Sequence, residues 1–491
     1  MSVSRIQMRD AHLSRAHPEG DCAMGIPVKI TVIGAGSATF SMGLVKDLCL
    51  TENLAGSHVT FMDIDEVRLE RIHRLAERYI AELGGKVTFD RTTDLTRSLQ
   101  DADFVINTAG GEYGSMEERI ELAKKHGYYS GAPFGVNYYN LNLMLNVARE
   151  IERVCPDAWL IQSGNPVYEG TTLMTRETGA KIIGLCHGHY GYINVANVLG
   201  IDPDKVTWVA PGVNHTIWLT EFRYEGQDAY PILDEWIATK AEAYWQERAD
   251  HPEKYGLEDQ MSRAVIDMYR RFGLLPIGDT TRGGGWWYKA DLEARLHWYG
   301  ATGGFLSEVH IGPFLKRHYQ RVEEIRQVAE DPSRSVLEAF PPTKTREQQV
   351  PIIDALTNDV PGTFQINRPN DGTIPGIPDD IASEFPAMID KGGIHPIKMA
   401  PLPKKVMLEV INPMVNKAEW ELEAFLTGDY GLLLDGLMFI DTFQSGGHTV
   451  SYEQAKAYLD DYLAQPYNQD MAAHFKRQDP SWAKVLKRKD N

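Results

Sequence analysis

The sequence predicts an α/β chain: a doubly wound, mostly parallel sheet of Rossmann-like order, followed by a second domain of mixed α+β character. Three observations carry this. Short apolar runs of strand type alternate with amphipathic helical stretches from Val28 to about Pro211. The first of these runs opens into a glycine-rich turn and then a helix. Beyond Pro211 the pattern changes to polar–apolar alternation and longer helical stretches, as in an antiparallel sheet with packed helices.

Val28 to Ile33 is a buried strand, Gly34-Ala35-Gly36-Ser37 is the turn after it, and a helix runs on through Leu44, Val45 and Leu48. Such a turn points free N–H groups and the positive end of a helix dipole at a phosphate, which marks Gly34, Gly36 and Ser37 as cofactor contacts. Thr39 stands where the third glycine of the dinucleotide fingerprint falls. The next strand, His58 to Met62, ends in Asp63-Ile64-Asp65. An acid there grips a ribose diol, the role expected of Asp63; the alternative is that the acids only cap the next helix, through Asp65. That helix carries Leu69, Ile72, Leu75, Tyr79 and Ile80 on one core face.

Val87-Thr88-Phe89 is a strand, and Asp103 to Asn107 is another that opens into Thr108, Ala109, Gly110 and Gly111. Small residues at that turn let the backbone pass close to a dinucleotide. Leu141, Leu145, Ala148 and Ile151 mark a helix, and Trp159 to Gln162 a strand ending in Ser163-Gly164-Asn165-Pro166. Asn165 either forms the turn or binds substrate hydroxyls and the nicotinamide.

The last parallel strand, Lys181-Ile182-Ile183, runs into Gly184-Leu185-Cys186-His187-Gly188-His189. Glycines bracket the turn, a His follows the Cys at once, and strand ends are where open α/β sheets bind ligands. The ordinary alternative for a lone Cys is a buried structural thiol. Gly212-Val213-Asn214-His215-Thr216-Ile217-Trp218 supplies a second polar cluster. A Cys thiolate with a His imidazole is a borderline-soft donor pair suited to a divalent transition metal.

In the second domain Trp218 to Tyr224 alternates like one antiparallel strand, and Leu233 to Arg248 and Gln260 to Phe272 read as helices. A loop rich in Gly and Pro from Leu275 to Gly285 carries Asp279 and Arg282, with Trp286, Trp287 and Tyr288 behind it. Such aromatics either face a carbohydrate or fill a core. Asp331 to Gln349 reads as a polar linker or insertion, and Arg368 to Gly372 as a loop near the site or a plain turn. Lys404 to Leu426 is a long helix expected to pack the second domain onto the first.

The formal charge of -18 argues against nucleic acid or an anionic membrane as partner. No apolar run approaches the ~20 residues of a membrane span. Cys22, Cys49, Cys155 and Cys186 are too few and too scattered for a disulfide framework, which points to a reducing, cytoplasmic setting. The expected division is residues 1–25 as a disordered N-terminal extension with no secretory signal, 26–210 as the dinucleotide-binding domain, and 211–491 as the domain for substrate, metal and oligomerisation.

On these motifs the sequence resembles the NAD-dependent glycoside hydrolases of family 4. The resemblance runs from about Val28 to about Leu463. It is carried by Gly34-Ala35-Gly36-Ser37, Asn165-Pro166, Cys186-His187-Gly188, Asn214-His215, Pro276-Ile277-Gly278-Asp279-Thr280 and Pro378-Asp379-Asp380. It implies a redox-neutral route. Bound NAD+ takes a hydride from C3 of the sugar, the 3-keto group acidifies the C2 proton, and a base removes that proton. The aglycone leaves by elimination, water adds to the enone, and the hydride returns. The resemblance also implies a divalent metal, usually Mn2+, held by Cys186 and His215 as a Lewis acid on the C2 and C3 oxygens. Asn165, Asn214 and His187 would face the substrate. Asp279 would do acid–base work near C2 or C3, with Tyr269 or Tyr288 as competitors for that role.

Where the branch acting on 6-phospho-sugars carries an Asp general acid after the Cys, this chain has His187. Phospho-glycosides are therefore not the expected substrates, and His187 is first in line as the acid. The Cys-His-Gly form resembles the branch that includes α-glucuronidases and α-galacturonidases, so an α-hexuronide is expected. Arg282 would hold its carboxylate by a bidentate pair, or else bridge to Asp279 or Asp291. A homo-oligomer, dimer or tetramer, follows from the family. Two rival enzymes remain: an α-glucosidase or α-galactosidase of the same mechanism, and a plain NAD-dependent dehydrogenase of the lactate and malate type. The second shares the sheet order but carries no Cys-plus-His metal site. A nucleotide-sensing protein with a dead site would need those ligands broken.

Overall fold

The computed structural model describes residues 25–37, 40–111, 115–127, 137–255, 259–282, 286–304, 307–444 and 451–476. The expected N-terminal extension lies outside them, Gly25 excepted. Six strands build the first half: β1 (Lys29–Ile33), β2 (His58–Met62), β3 (Thr88–Thr92), β4 (Phe104–Asn107), β5 (Trp159–Gln162) and β6 (Lys181–Gly184). They lie in the order β3-β2-β1-β4-β5-β6, and every neighbouring pair is parallel. This is the doubly wound order, with its reversal between β1 and β4.

The apolar runs explain why. Leu160 and Ile182 join Val105, Met144 and Ile151 in a core on one face of the sheet. Their neighbours Ile161 and Ile183 join Ile30, Val32 and Phe61 on the other. Successive side chains point to opposite faces, so a strand covered on both must be apolar at every position. Each such Ile or Leu, 0–1% exposed, contributes about 1.5–3 kcal/mol.

Among the described residues nine further strands follow: β7 (Val206–Val209), β8 (Gly212–Val213), β9 (Thr216–Leu219), β10 (Glu221–Tyr224), β11 (Gln227–Asp228), β12 (Leu275–Ile277), β13 (Gly362–Pro369), β14 (Ala382–Asp390) and β15 (Gly393–Pro396). The large sheet runs on past β6 through β13, β14, β8, β9 and β12, all antiparallel, with β15 on β14. One row of register partners crosses this junction: Gly184, Asn367, Glu384, Gly212, Ile217 and Ile277. Cys186, His215 and Asp279 each stand two residues along the chain from a member of that row.

Several expectations change. Trp218 to Tyr224 is two strands, because the chain leaves the large sheet at Thr220, whose N–H donates to Val209 O (2.9 Å), and β10 joins a separate sheet with β7 and β11. Alternation in sequence cannot distinguish one strand from two that meet at a break. Leu233 to Arg248 is likewise two helices, Tyr230–Thr239 and Ala241–Asp250, divided at Lys240. Asp331 to Gln349 is no linker. Glu82 accepts from Val336 N (3.0 Å) at the start of a short helix, Asp47 accepts from Thr345 N (2.6 Å), and Gln348 and Gln349 are buried. Arg368 and Pro369 end β13, and the turn that follows is held by Asn370, fully buried, which bonds Ile374 and Ile377. The long helix exists and carries a π-turn at Met407–Ile411. Arg176 of the first half forks onto its Glu419 at 2.8 and 2.7 Å.

Candidate active site

A cleft of about 1230 Å³ lies over the switch point, lined by Gly34, Gly36, Ser37, Asp63, Thr108 and Ala109 through Gly111. Gly34 has φ +79°, and a Cβ there would lie 2.5 Å from Ala109 N, so only glycine lets the two loops meet. Asp63 Oδ2 accepts from Gly36 N (2.8 Å) and Oδ1 from Asp65 N (2.9 Å), which fixes the acid in the cleft wall. Asp65 caps the following helix through Arg68 N (3.0 Å). The Thr108 hydroxyl is buried against the carbonyls of Ile33 and Gly34. Asn165, three residues past β5, is exposed.

Cys186, His215 and Asp279 converge. One donor atom from each lies within 4.8 Å of the others, and His215 Nε2 is 3.0 Å from Asp279 Oδ2. His215 is the second residue of the two-residue hairpin Asn214-His215 between β8 and β9 and takes φ +62°. A non-glycine residue in the left-handed region costs about 1–3 kcal/mol, a kind of strain that clusters at functional sites. Asn214 holds the hairpin from behind: it is buried, and its Nδ2 donates to Glu384 Oε2 at 2.9 Å. Burial raises the Glu384 carboxyl, against the pull of that amide and of His215.

Asp279 is brought in by a glycine contact and a hydroxyl. Gly278 has φ +61°, and a Cβ on it would lie 2.5 Å from Gly188 O, so the turn after β12 rests directly on the turn after Cys186. Thr280 Oγ1 accepts from Ile217 N (2.7 Å) and donates to Ile217 O (2.9 Å), locking the same turn onto β9. Burial works against a charge on His215, yet the Asp279 carboxylate and the Cys186 thiol hold its imidazole well above the ordinary range. Sulfur and carboxylate thus make a place that favours positive charge. Thiol, imidazole and carboxylate together suit a divalent transition ion.

His187 is largely exposed. Its Nδ1 lies 3.5 Å from Glu347 Oε1, and that carboxylate raises the imidazole above its ordinary range. His189, by contrast, is a core residue stacked on Trp208 (5.3 Å), kept neutral by burial that lowers it to about 3.

Two expected site residues, Asn214 and Tyr288, are not at an open site, and a third, Tyr269, is partly buried. Asn214 is committed to Glu384 and does not face a substrate. Tyr288 is 0% exposed with its hydroxyl held by Asp267, so no sugar can touch it. Tyr269 stacks on Tyr230 (5.5 Å) and donates to Asp234 at 2.9 Å. The aromatics after Asp279 therefore fill core as far as Trp287 and Tyr288 are concerned, and Arg271 lies over the Trp287 ring at 4.4 Å. The side chains of Arg282 and Trp286 lie outside the described residues. Asp380 of the Pro378-Asp379-Asp380 motif pairs with Arg176 at 2.7 Å.

A family model described as family 4 glycosyl hydrolase matches residues 29–201, and that of the family's C-terminal domain matches 210–441. The chain belongs to family 4 of the glycosyl hydrolases. An α-galactosidase of Bacillus subtilis is 26% identical over 393 residues, 77% of this chain and 85% of the relative. An α-galacturonidase of Thermoanaerobacterium saccharolyticum is 25% identical over 428 residues, 82% of this chain and 89% of the relative. A solved 6-phospho-α-glucosidase from gut microorganisms, in complex with NAD and Mn2+, matches with a TM-score of 0.69 at 18% identity, over 89% of this chain and 98% of that one. At that identity the likeness speaks for the fold. Membership sets aside the plain dehydrogenase: this family 4 chain is a glycosidase. Among its described residues no helix is long and apolar enough to cross a membrane.

The sequence did not reveal Glu347 or Glu384, which support His187 and Asn214 from strands and loops far along the chain. Nor did it reveal that Asp279 stands beside His215. The Gly-Asp-Thr run at 278–280 was the available signal, since the Gly permits the contact with Gly188 and the Thr ties the turn to β9.

Proposed function

We propose that this glycosidase cleaves α-hexosides, α-hexuronides first among them, with NAD+ in the cleft at the switch point and a divalent ion, Mn2+ by preference, at Cys186, His215 and Asp279. The observation that carries the reading is the convergence of those three donors within 4.8 Å. When bound, the dinucleotide supplies a hydride acceptor and donor for C3, and the ion polarises the C2 and C3 oxygens. The chain's own groups do the rest. Gly34, Gly36 and Ser37 line the cleft where the phosphates would lie, and Asp63 accepts from a ribose diol. Asn165 presents its amide to sugar hydroxyls. Asp279 takes and returns a proton at C2 or C3. His187, kept protonated by Glu347, donates to the leaving oxygen. Residues 26–210 form the dinucleotide-binding domain and lend Asn165, Cys186 and His187 to the sugar side, and 211–491 form the domain for substrate, metal and oligomerisation, with one sheet joining the two.

Support for a uronide comes from His187 after the Cys and from relatives named α-galacturonidase, in Thermoanaerobacterium saccharolyticum and Bacillus subtilis, each 25% identical. A neutral α-galactoside is the second reading, favoured by the 26% identical α-galactosidase. A panel of nitrophenyl α-glycosides and α-uronides, with NAD+ and Mn2+ present, separates them. Faster cleavage of a uronide than of its matching neutral glycoside is expected. Equal rates, or a preference for the neutral sugar, would move the assignment to the galactoside.

A further inference from the structure

We propose that the C-terminal segment Pro466–Asp470 is a preformed wall of the dinucleotide cleft and sets how tightly the cofactor is held, an inference that rests on the NAD+ reading above. In an open doubly wound sheet the crevice at the switch point is bordered by the loops that follow the strands. Here it has two more walls. Pro466, Tyr467, Gln469 and Asp470, from the far end of the chain, line the same cleft as Gly36 and Asp63. The helix Glu308–Glu330 adds His318, Val322 and Ile325. That helix is tied to the helix after Asp65 by Arg71–Glu330 (2.9 Å) and by Arg78 Nη1 to Val328 O (2.7 Å).

The segment is fixed at the cleft by the protein itself. Tyr139, at the start of the helix Tyr138–Val154, donates from its hydroxyl to Tyr467 O at 2.9 Å. Asn468 is fully buried and donates to Tyr462 O at 2.8 Å. Just beyond, His474 and Phe475 pack on the Tyr138 ring at 5.1 and 5.7 Å. The wall therefore stands where it is before any ligand arrives, and a preformed wall adds affinity without an ordering cost. It lies past residue 441, the last one matched by the family's C-terminal model. Its chemistry suits a dinucleotide. Tyr467 offers an aromatic face with a polar tip, Gln469 an amide, and Asp470 an acceptor for ribose hydroxyls.

The test is calorimetric titration of NAD+ into the native protein and into Tyr467→Ala and Tyr139→Phe. The dissociation constant should rise about tenfold in Tyr467→Ala, from loss of an aromatic contact, and about threefold in Tyr139→Phe, from loss of the hydroxyl that pins the segment. Unchanged constants in both variants would overturn the inference while leaving the NAD+ reading intact. A native protein that takes up no NAD+ would bring down both. Hydrogen exchange on the unaltered protein covers the case of a variant that does not fold. NAD+ should slow exchange in the peptide spanning 466–470, and no slowing at saturating NAD+ would overturn the proposal.

Discussion

The turn Gly34–Ser37 and the cluster of Cys186, His215 and Asp279 sit on one sheet, yet they are made differently. The turn is made of backbone. Its N–H and C=O groups are held by Met62, Asp63, Thr108 and Ser41, and its parts come from neighbouring parallel units. The cluster is made of side chains. Its members come from the end of β6, the β8–β9 hairpin and the turn after β12, and antiparallel strands from three separate stretches of chain bring them together. A backbone site tolerates many side chains but no Cβ where two loops touch. A side-chain site tolerates neighbouring backbone changes but no change of donor.

The largest expected effect follows on the side-chain half. Cys186→Ser replaces a soft thiolate with a hard hydroxyl and should lower turnover by at least about a hundredfold, with Mn2+ affinity falling in parallel. NAD+ affinity should stay within about twofold, because the turn at Gly34 is untouched. Titrations of Mn2+ by electron paramagnetic resonance and of NAD+ by calorimetry read the two halves separately. Full activity of Cys186→Ser at low Mn2+ would show that the sulfur is no ligand.

Next comes the mirror experiment. Gly34→Ala puts a Cβ 2.5 Å from Ala109 N at φ +79°, so it should weaken NAD+ binding about tenfold or more and cost about 1–3 kcal/mol of stability. Mn2+ affinity should not follow. If both affinities fell together, the two halves would be one cooperative site and the contrast between them would be lost.

A smaller effect sharpens the comparison from behind the cluster. Asn214→Ala removes the amide that serves buried Glu384 and should destabilise the fold by about 1–3 kcal/mol. Because the hairpin then loosens under His215, Mn2+ affinity should drop about tenfold. A stability loss with unchanged Mn2+ affinity would show that Asn214 serves only the fold.

The same contrast explains what could be read before any coordinates. The parallel half was legible nearly strand by strand. Its inner strands are largely apolar, as Leu160-Ile161 and Ile182-Ile183 show, whereas the edge strand β3 is Thr-Phe-Asp-Arg-Thr, and its turn and acid follow in chain order. Asp65 as a helix cap was readable too, because capping is local. In the antiparallel half the break at Thr220, the split at Lys240 and the stitching of Thr345 to Asp47 depend on partners far away in sequence. Cys186 and His215 stood out by residue type. That Asp279 lies beside His215, and that Asn214 turns toward Glu384 in place of a sugar, depends on the contact of Gly278 with Gly188 and on a buried acid in β14. Tyr288 was misread because an aromatic next to polar residues looks the same in sequence whether it faces a sugar or Asp267.

The most direct measurement is hydrolysis in D2O with NAD+ and Mn2+, followed by analysis of the sugar product. Elimination requires the C2 proton to leave, and a base in exchange with solvent returns deuterium, so the product should carry deuterium at C2 and NADH should not accumulate. A product with ordinary hydrogen at C2, together with normal rates for substrates deuterated at C2 and at C3 where chemistry limits turnover, would contradict the mechanism.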